Sequence, residues 1–93
     1  MNKPELTNIP SIQTGYRLQH EEAQESWVLL YPEGMVKLND SAAEILKRCD
    51  GERDIHKIVA VLEEDFQETG LQDDVLSFMQ IALEQKWVTL ANG

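Results

Sequence analysis

The side chains that could do chemistry in this chain are few and widely spaced. The chain has one cysteine, Cys49, and two histidines, His20 and His56, and their spacing matches no common metal-binding motif. Cys49 and His56 could be imagined as a nucleophile and its base, but a predicted helix end separates them and no third group is placed to orient the histidine. We therefore expect a buried structural cysteine and no metal site.

Two clusters of carboxylates are the remaining candidates for catalysis. Residues 63–65 (Glu-Glu-Asp) and residues 73–74 (Asp-Asp) could serve as acid and base only if burial separated their pKa values. The first cluster resembles a solvated helix face, and the second complements the dipole at a predicted helix start. The five glycines occur singly, so the sequence holds no glycine-rich phosphate-binding loop. We expect a binding protein and no enzyme activity.

Length and charge narrow the class of partner. With 93 residues, 42% of them hydrophobic, the chain has room for one hydrophobic core. Its formal net charge of −9 repels nucleic-acid backbones and anionic membranes, so we expect neither as a partner. The amino-terminal residues show no signal-peptide pattern and no stretch is long enough to span a bilayer, which predicts a cytoplasmic protein.

The first half of the chain shows the pattern of strands. Residues 1–14 carry two prolines and no periodicity, which predicts an extended or flexible arm ahead of a single domain over residues 15–93. Alternating side chains predict two strands, over residues 15–19 and 27–31. The turn Tyr31-Pro32-Glu33-Gly34 favours a type I turn followed by a bulge glycine, and a third strand follows from Met35 to Leu38 at a sheet edge.

The second half shows three helices separated by capping residues. Helix one is predicted to begin at Asn39 or Asp40, with Ser41 and Glu44 as an alternative capping box, and to end near Cys49. Gly51 suits the left-handed position after a helix, and Asp54 can cap helix two. Helix two ends at residues 69–70, and helix three extends from residue 72 or 73 to about residue 86. Residues 87–90 are either a last strand or a packing tail. The predicted fold class is α+β: a three-stranded antiparallel sheet followed by three helices on one face.

Helix three has a wider apolar surface than one core contact requires. At 100° per residue, its apolar side chains form two adjoining faces: Leu71, Val75, Phe78 and Ala82 on one, and Leu76, Met79, Leu83 and Trp87 on the other, with Ile81 widening the total. One interpretation is a central helix covered by the sheet and both other helices. The alternative is that the second face lines an open apolar groove.

These residues resemble a known family, the PqqD proteins of pyrroloquinoline quinone (PQQ) biosynthesis. The resemblance is carried by "GYRL", by "LLYPEGMVKLNDSAAEILKRCDG", and by the helices "IHKIVAVLEEDF" and "DVLSFMQIALEQKWV". It covers about residues 15–90, and the central motif is long enough to make chance similarity improbable. One departure is "EQKWV", where the family pattern has a glycine before the tryptophan.

The resemblance implies a peptide chaperone with a winged-helix-like fold. Proteins of this family bind the precursor peptide PqqA as an added strand and present it to the radical-SAM enzyme PqqE, so no cofactor is expected here. Carried onto this chain, the peptide site comprises the third strand and the accessible part of helix three. Its expected residues are Met35, Val36, Lys37, Leu38, Val75, Leu76, Met79 and Leu83. Alternation predicts that Val36 and Leu38 share one face, with Met35 and Lys37 on the other; the apolar pair is expected to face the helices.

Two alternatives to peptide binding follow from the same features. A winged-helix outline invites nucleic-acid binding, but Asp73, Asp74 and Glu84 on helix three outnumber Lys86. An edge strand could instead pair with a second copy of the chain, giving a self-associating module or a homodimer. Lys37 fits two roles, a guard against edge-to-edge aggregation and a partner for an acidic peptide residue.

Overall fold

The computed structural model describes residues 3–92 and contains a three-stranded sheet, a two-stranded sheet and three α-helices. In chain order the elements are β1 (Ile9–Ile12), β2 (Arg17–Glu21), β3 (Ser26–Tyr31), β4 (Gly34–Lys37), α1 (Asp40–Lys47), α2 (Ile55–Phe66), α3 (Gln72–Glu84) and β5 (Val88–Ala91). A short 3-10 turn, Glu22–Gln24, connects β2 to β3. The predicted α+β class, with a three-stranded antiparallel sheet and three helices, is confirmed; the winged-helix comparison stays a prediction.

The three-stranded sheet is an antiparallel meander with strand order β2-β3-β4. Its inner face packs on the helices, and Leu29, in the middle of β3, is completely buried there. Directly opposed residues share a face, so Val36 lies beside Leu29 on this inner side. Leu38 is 5% exposed and also belongs to the core. The apolar pair of the β4 segment therefore faces the helices, as the sequence predicts.

The turn between β3 and β4 is tighter than the sequence predicts. Tyr31 pairs directly with Gly34, which leaves Pro32 and Glu33 as a two-residue loop. Gly34 has a φ of 159°, close to extended backbone and far from the left-handed value that a bulge glycine adopts. The predicted bulge at Gly34 is wrong, because the strand begins at the glycine itself; the type I turn stays a prediction.

The second sheet joins the two ends of the chain. β1 pairs antiparallel with β5 from Ile9 opposite Ala91 to Ile12 opposite Val88. The predicted arm therefore contains a strand with a partner, and the open choice for residues 87–90 is settled in favour of a strand. Met1 and Asn2, at the start of that arm, and Gly93, at the end of the predicted domain, lie outside the described residues.

Backbone hydrogen bonds also attach the arm to the start of α2. The carbonyl oxygens of Leu6 and Asn8 accept from the N–H groups of His56 and Ile55, both at 2.9 Å. These N–H groups belong to the first turn of α2, where no intrahelical acceptor exists. The arm thus supplies hydrogen bonds that the helix cannot make by itself.

The helix caps explain where the first two helices begin. Asn39 Oδ1 accepts from the N–H of Ala42 at 2.8 Å, and Asp54 Oδ1 accepts from the N–H of Lys57 at 2.8 Å. Gly51 has a φ of 78°, the left-handed value predicted for it. Each helix ends slightly earlier than predicted; α2 stops at Phe66 because Gln67 turns to a φ of 52°.

One hydrophobic cluster connects the inner face of the three-stranded sheet, the three helices and β5. Its largest completely buried side chains are Leu29, Leu46, Ile55, Ile58 and Met79. Burial of each such side chain contributes roughly 1.5–3 kcal/mol to folding. Among residues 3–92, no helix has both the length and the apolar character required to cross a membrane.

Candidate functional site

Cys49 is placed to support the fold and is poorly suited to act as a nucleophile. Its side chain is 5% exposed, and Sγ donates to the carbonyl oxygen of Ile45 at 3.4 Å. Burial, with a smaller contribution from Asp50, raises the pKa of the thiol to about 12, so the reactive thiolate is scarce at neutral pH. Within residues 3–92 no three His, Cys, Asp or Glu side chains are grouped as a metal site would require.

The most prominent binding feature is the free edge of β4. This strand is last in the sheet order, and no described strand pairs with its outer side. Leu38 donates its N–H to the carbonyl oxygen of Trp27 at 2.9 Å, so it bonds toward β3. Bonding direction alternates along an antiparallel strand. The N–H and C=O groups of Met35 and Lys37 therefore point away from β3, toward solvent.

The side chains of Met35 and Lys37 lie on the face of the sheet opposite the helices. Met35 is 43% exposed and Lys37 is exposed. Met35 sits beside Leu30 of β3, and its Sδ lies 3.9 Å from Nε2 of Gln24 in the 3-10 turn. This face is therefore partly apolar, with the 3-10 turn reaching across it as far as β4.

On α3 the structure divides the predicted site residues into buried and accessible ones. Val75 is 2% exposed and Met79 is completely buried, so neither offers much side-chain surface to a peptide; their part in peptide binding stays a prediction. Leu76 and Leu83 are half-buried. Only Val75, Met79 and Ala82 of the wide apolar pattern are buried, so the interpretation of α3 as a central, covered helix accounts for part of it.

The predicted site residues contribute to one core from two sides. Val36 and Leu38 reach the hydrophobic cluster from the sheet, and Val75, Leu76 and Met79 reach it from α3. Met35 and Lys37 are directed to the other face of the sheet, so they are separated from the α3 residues by the strand itself. The accessible parts of the predicted site are thus the β4 edge, its outer side chains, and Leu76 and Leu83.

Sequence reasoning missed a cleft where the start of α1, the end of α2 and the start of α3 meet. It has a volume of about 330 Å³. Its apolar lining is formed by Ile45, Leu62, Phe66, Leu71 and Val75, and its polar lining by Asp40, Ser41, Glu44, Glu68 and Asp74. Phe66 is 49% exposed at this position. The signal in the sequence is Phe66 itself, a large aromatic side chain at the end of α2.

The carboxylates of the cleft differ in how they are paired. Glu44 Oε1 lies 2.9 Å from Nη1 of Arg48, and Glu44 Oε2 lies 3.1 Å from Nζ of Lys47. The hydrogen bond from Arg48 holds the pKa of Glu44 below its usual value, although burial opposes this. Arg48 also reaches Asp65 Oδ2 at 2.8 Å, which ties α1 to α2. The charge of Glu44 is therefore already balanced within the protein.

Three carboxylates of the cleft carry no such pairing. We call Asp40, Glu68 and Asp74 the acidic rim; all three are exposed, and none takes part in the ion pairs found among residues 3–92. Asp40 and Asp74 lie in the first turns of α1 and α3, where the helix dipole favours a negative charge. The cleft combines an apolar wall with unpaired negative charge.

Comparison with known proteins assigns the chain to a family. The family profile described as coenzyme PQQ synthesis protein D (PqqD) matches residues 26–88. Relatives named PqqA binding protein include one from Pseudomonas aeruginosa, 53% identical over 91 residues and covering 97% of this chain and 99% of that protein. Another, from Klebsiella pneumoniae, is 57% identical over 84 residues, covering 89% of this chain and 91% of that protein.

A solved structure has the same fold. The solution NMR structure of the PqqD part of Methylobacterium extorquens PqqCD, described as a stand-alone RiPP recognition element, superposes with a TM-score of 0.79. The match covers 92% of this chain and 94% of the other chain, and the two sequences are 24% identical. The fold is shared, and the family profile spans most of the chain from β3 to β5. This chain belongs to the PqqD family of coenzyme PQQ synthesis proteins.

Proposed function

We propose that this chain binds the precursor peptide PqqA in PQQ biosynthesis and presents it to the radical-SAM enzyme PqqE. The observation that carries the proposal is the free edge of β4, where backbone groups of Met35 and Lys37 lack a strand partner among residues 3–92. Relatives more than 50% identical are named PqqA binding protein, which supports the choice of peptide. PqqA adds to this edge as a fourth strand, which is a common mode of peptide recognition.

The edge alone provides only weak binding. Met35 and Lys37 together offer four backbone groups, and each new hydrogen bond contributes roughly 0.5–1.5 kcal/mol. Ordering a flexible peptide costs roughly 2–5 kcal/mol, which offsets most of that gain. Burial of peptide side chains must therefore supply the remaining affinity, at roughly 1.5–3 kcal/mol for each fully buried apolar side chain.

The apolar contacts come from side chains that are still accessible in the free protein. Met35 is 43% exposed and lies on the outer side of β4, while Leu76 and Leu83 are half-buried on α3. Strand alternation sends successive peptide side chains to opposite faces of the sheet. One set then packs beside Met35, and the other set is directed to the side of the sheet that carries α3.

Charge makes the peptide a better occupant of the edge than a second copy of this chain. Two copies with a net charge of −9 each repel one another, most strongly at low salt. Lys37 stands at the edge as an isolated positive charge and lowers the tendency of the strand to pair with a copy of itself. Presentation to PqqE uses surface that the bound peptide leaves uncovered.

An amide-shift titration of the 15N-labelled chain with PqqA tests the site. We expect the largest shifts at residues 34–38 and at Leu76 and Leu83. Shifts confined to other regions would contradict strand addition at β4. Light scattering across a concentration series, with and without PqqA, separates peptide binding from self-association, because a dimer formed through the same edge would dissociate when the peptide binds.

Presentation to PqqE is a separate claim and needs its own measurement. In sedimentation experiments with purified PqqE, we expect PqqA to enter a complex with the enzyme in the presence of this chain. If the chain binds PqqA but never associates with PqqE, the presentation step is wrong while peptide recognition stands.

A further inference from the structure

We infer that the cleft between α1, α2 and α3 is a second recognition pocket for the same peptide, selecting an apolar side chain next to a basic one. The inference rests on the proposed function, since it concerns a peptide already paired with β4. It adds a chemical preference that strand addition cannot provide, because backbone hydrogen bonds do not distinguish side chains.

The first support is the composition of the cleft wall. Phe66 is 49% exposed at the end of α2 although it is a large aromatic side chain. Leu71 is half-buried beside it in the cleft lining, above a floor that includes the buried Leu62 and Val75. A concave site with apolar walls and a volume of about 330 Å³ accommodates one or two side chains. An apolar peptide residue in this position would cover the exposed ring of Phe66.

The second support is the charge at the mouth of the cleft. Glu44 is already balanced by Lys47 and Arg48, whereas Asp40, Glu68 and Asp74 of the acidic rim have no ion-pair partner among residues 3–92. A lysine or arginine beside the apolar anchor complements this rim. Another copy of the chain, with its excess of carboxylates, would be repelled.

The third support is continuity with the edge strand. β4 ends at Lys37 and Asn39 caps α1, so Asp40 and Ser41 bring the chain into the cleft lining within a few residues. Three residues span at most about 11 Å of extended chain. A peptide paired with β4 therefore needs only a few residues beyond the last strand pair to reach Asp40 of the acidic rim.

The rim is tested with charge variants measured against matched controls. In the test variant Glu68→Gln/Asp74→Asn, two rim carboxylates become neutral. The control Glu64→Gln/Asp73→Asn removes the same total charge from exposed positions within four residues of the test positions. Asp73 shares the first turn of α3 with Asp74, so both variants perturb the helix dipole alike. Only the test pair lines the cleft.

We expect calorimetric titration with PqqA to separate the two variants. At low salt the test variant should bind about fivefold more weakly, consistent with the loss of two exposed ion pairs, and the difference should shrink as salt rises. The control should change less than twofold. Equal affinities for the test variant and the unsubstituted chain would overturn the inference, and so would an equal loss in both variants.

The apolar wall is tested separately. Phe66→Ala should weaken PqqA binding, while Ile81→Ala, which truncates an equally exposed side chain (50%) outside the cleft, should not. In a further experiment each basic residue of PqqA is replaced singly by glutamine. We expect one of these peptides to bind the unsubstituted chain more weakly than PqqA does, but to bind Glu68→Gln/Asp74→Asn as tightly as PqqA does. If every such peptide behaves alike in both proteins, the acidic rim does not select a basic residue.

These outcomes distinguish the cleft from the proposed function. If the unsubstituted chain fails to bind PqqA, both are overturned. If it binds PqqA with amide shifts at β4 while every cleft variant binds with unchanged affinity, peptide recognition stands and only the second pocket is rejected.

Discussion

Leu38 donates its backbone N–H to the carbonyl oxygen of Trp27 at 2.9 Å, and this hydrogen bond determines which groups of the edge strand are available to a partner. Because bonding direction alternates along the strand, Val36 bonds toward β3 while Met35 and Lys37 present their backbone groups outward. The inner side chains Val36 and Leu38 are held in or against the core. The same strand thus contributes to stability through one set of residues and offers a docking edge through the other.

Replacing Lys37 by proline tests the edge directly. Lys37→Pro removes an outward N–H and leaves the hydrogen bonds to β3 in place, which is the arrangement in which edge strands tolerate proline. We expect PqqA affinity to fall about tenfold, while Lys37→Ala, which keeps the N–H, should have a smaller effect. Calorimetry measures both affinities, and circular dichroism checks that each variant is folded. Equal binding by both variants would argue against strand addition at this position.

The two faces of α3 should respond differently to substitution. Met79 is completely buried, so Met79→Ala should lower the free energy of unfolding by roughly 2–5 kcal/mol, measured by urea titration. Leu76 is half-buried, so Leu76→Asp should leave a cooperative unfolding transition and weaken PqqA binding about tenfold, as expected when part of a side-chain contact is lost.

The matched control for this pair is Ile81→Asp, which introduces the same charge at a 50% exposed position of α3. It should affect neither stability nor binding appreciably. If Leu76→Asp bound PqqA as tightly as Ile81→Asp did, Leu76 would not belong to the peptide site.

The amino-terminal arm should be required for stability. Deleting residues 1–12 removes β1, and with it the acceptors for Ile55 and His56 at the start of α2. Those N–H groups would then have only water as a hydrogen-bond acceptor, and β5 would lose its partner strand. We expect a clear drop in the urea midpoint. Ser11→Ala, which removes only the exposed hydroxyl contact with Thr89 at 3.1 Å, should shift the midpoint little. If the deletion lowered the urea midpoint no more than Ser11→Ala does, the arm would not have this role.

Cys49 should make the protein less stable at alkaline pH. Burial raises the pKa of its thiol from an ordinary 9.0 to about 12. Between those values the unfolded chain releases a proton that the folded chain keeps. Rising pH therefore favours the unfolded state, and the stability due to the buried thiol is complete below about pH 9 and lost toward pH 12.

Urea titrations at pH 8 and pH 10 measure this effect against Cys49→Ala. The variant should be less stable at pH 8, because the substitution leaves a small cavity, but its stability should fall less steeply with pH. Other groups that titrate in this range are common to both proteins. Parallel decreases would show that the cysteine is not responsible.

Local signals in the sequence were sufficient to predict most of the elements. The hydrogen-bonding side chains of Asn39 and Asp54 mark helix starts because they satisfy free N–H groups in the first turn. Alternation along residues 35–38 predicted which side chains face the helices, and Gly51 was predicted to be left-handed. The bulge at Gly34 was predicted wrongly because the loop length depends on the pairing register, which places Gly34 opposite Tyr31 and is not determined by the turn residues alone.

The sequence by itself determined the three strands of the larger sheet, the three helices, the acidic surface and the resemblance to a peptide-binding family, because these depend on residue type and on spacing along the chain. The tertiary structure decided which apolar residues of α3 are covered, since periodicity alone does not show whether an apolar helix face is buried in the core or accessible to a partner. It also decided that β1 pairs with β5 and that Phe66 lines the same cleft as the acidic rim. Those contacts join residues distant in sequence, and their positions depend on how all the elements pack together.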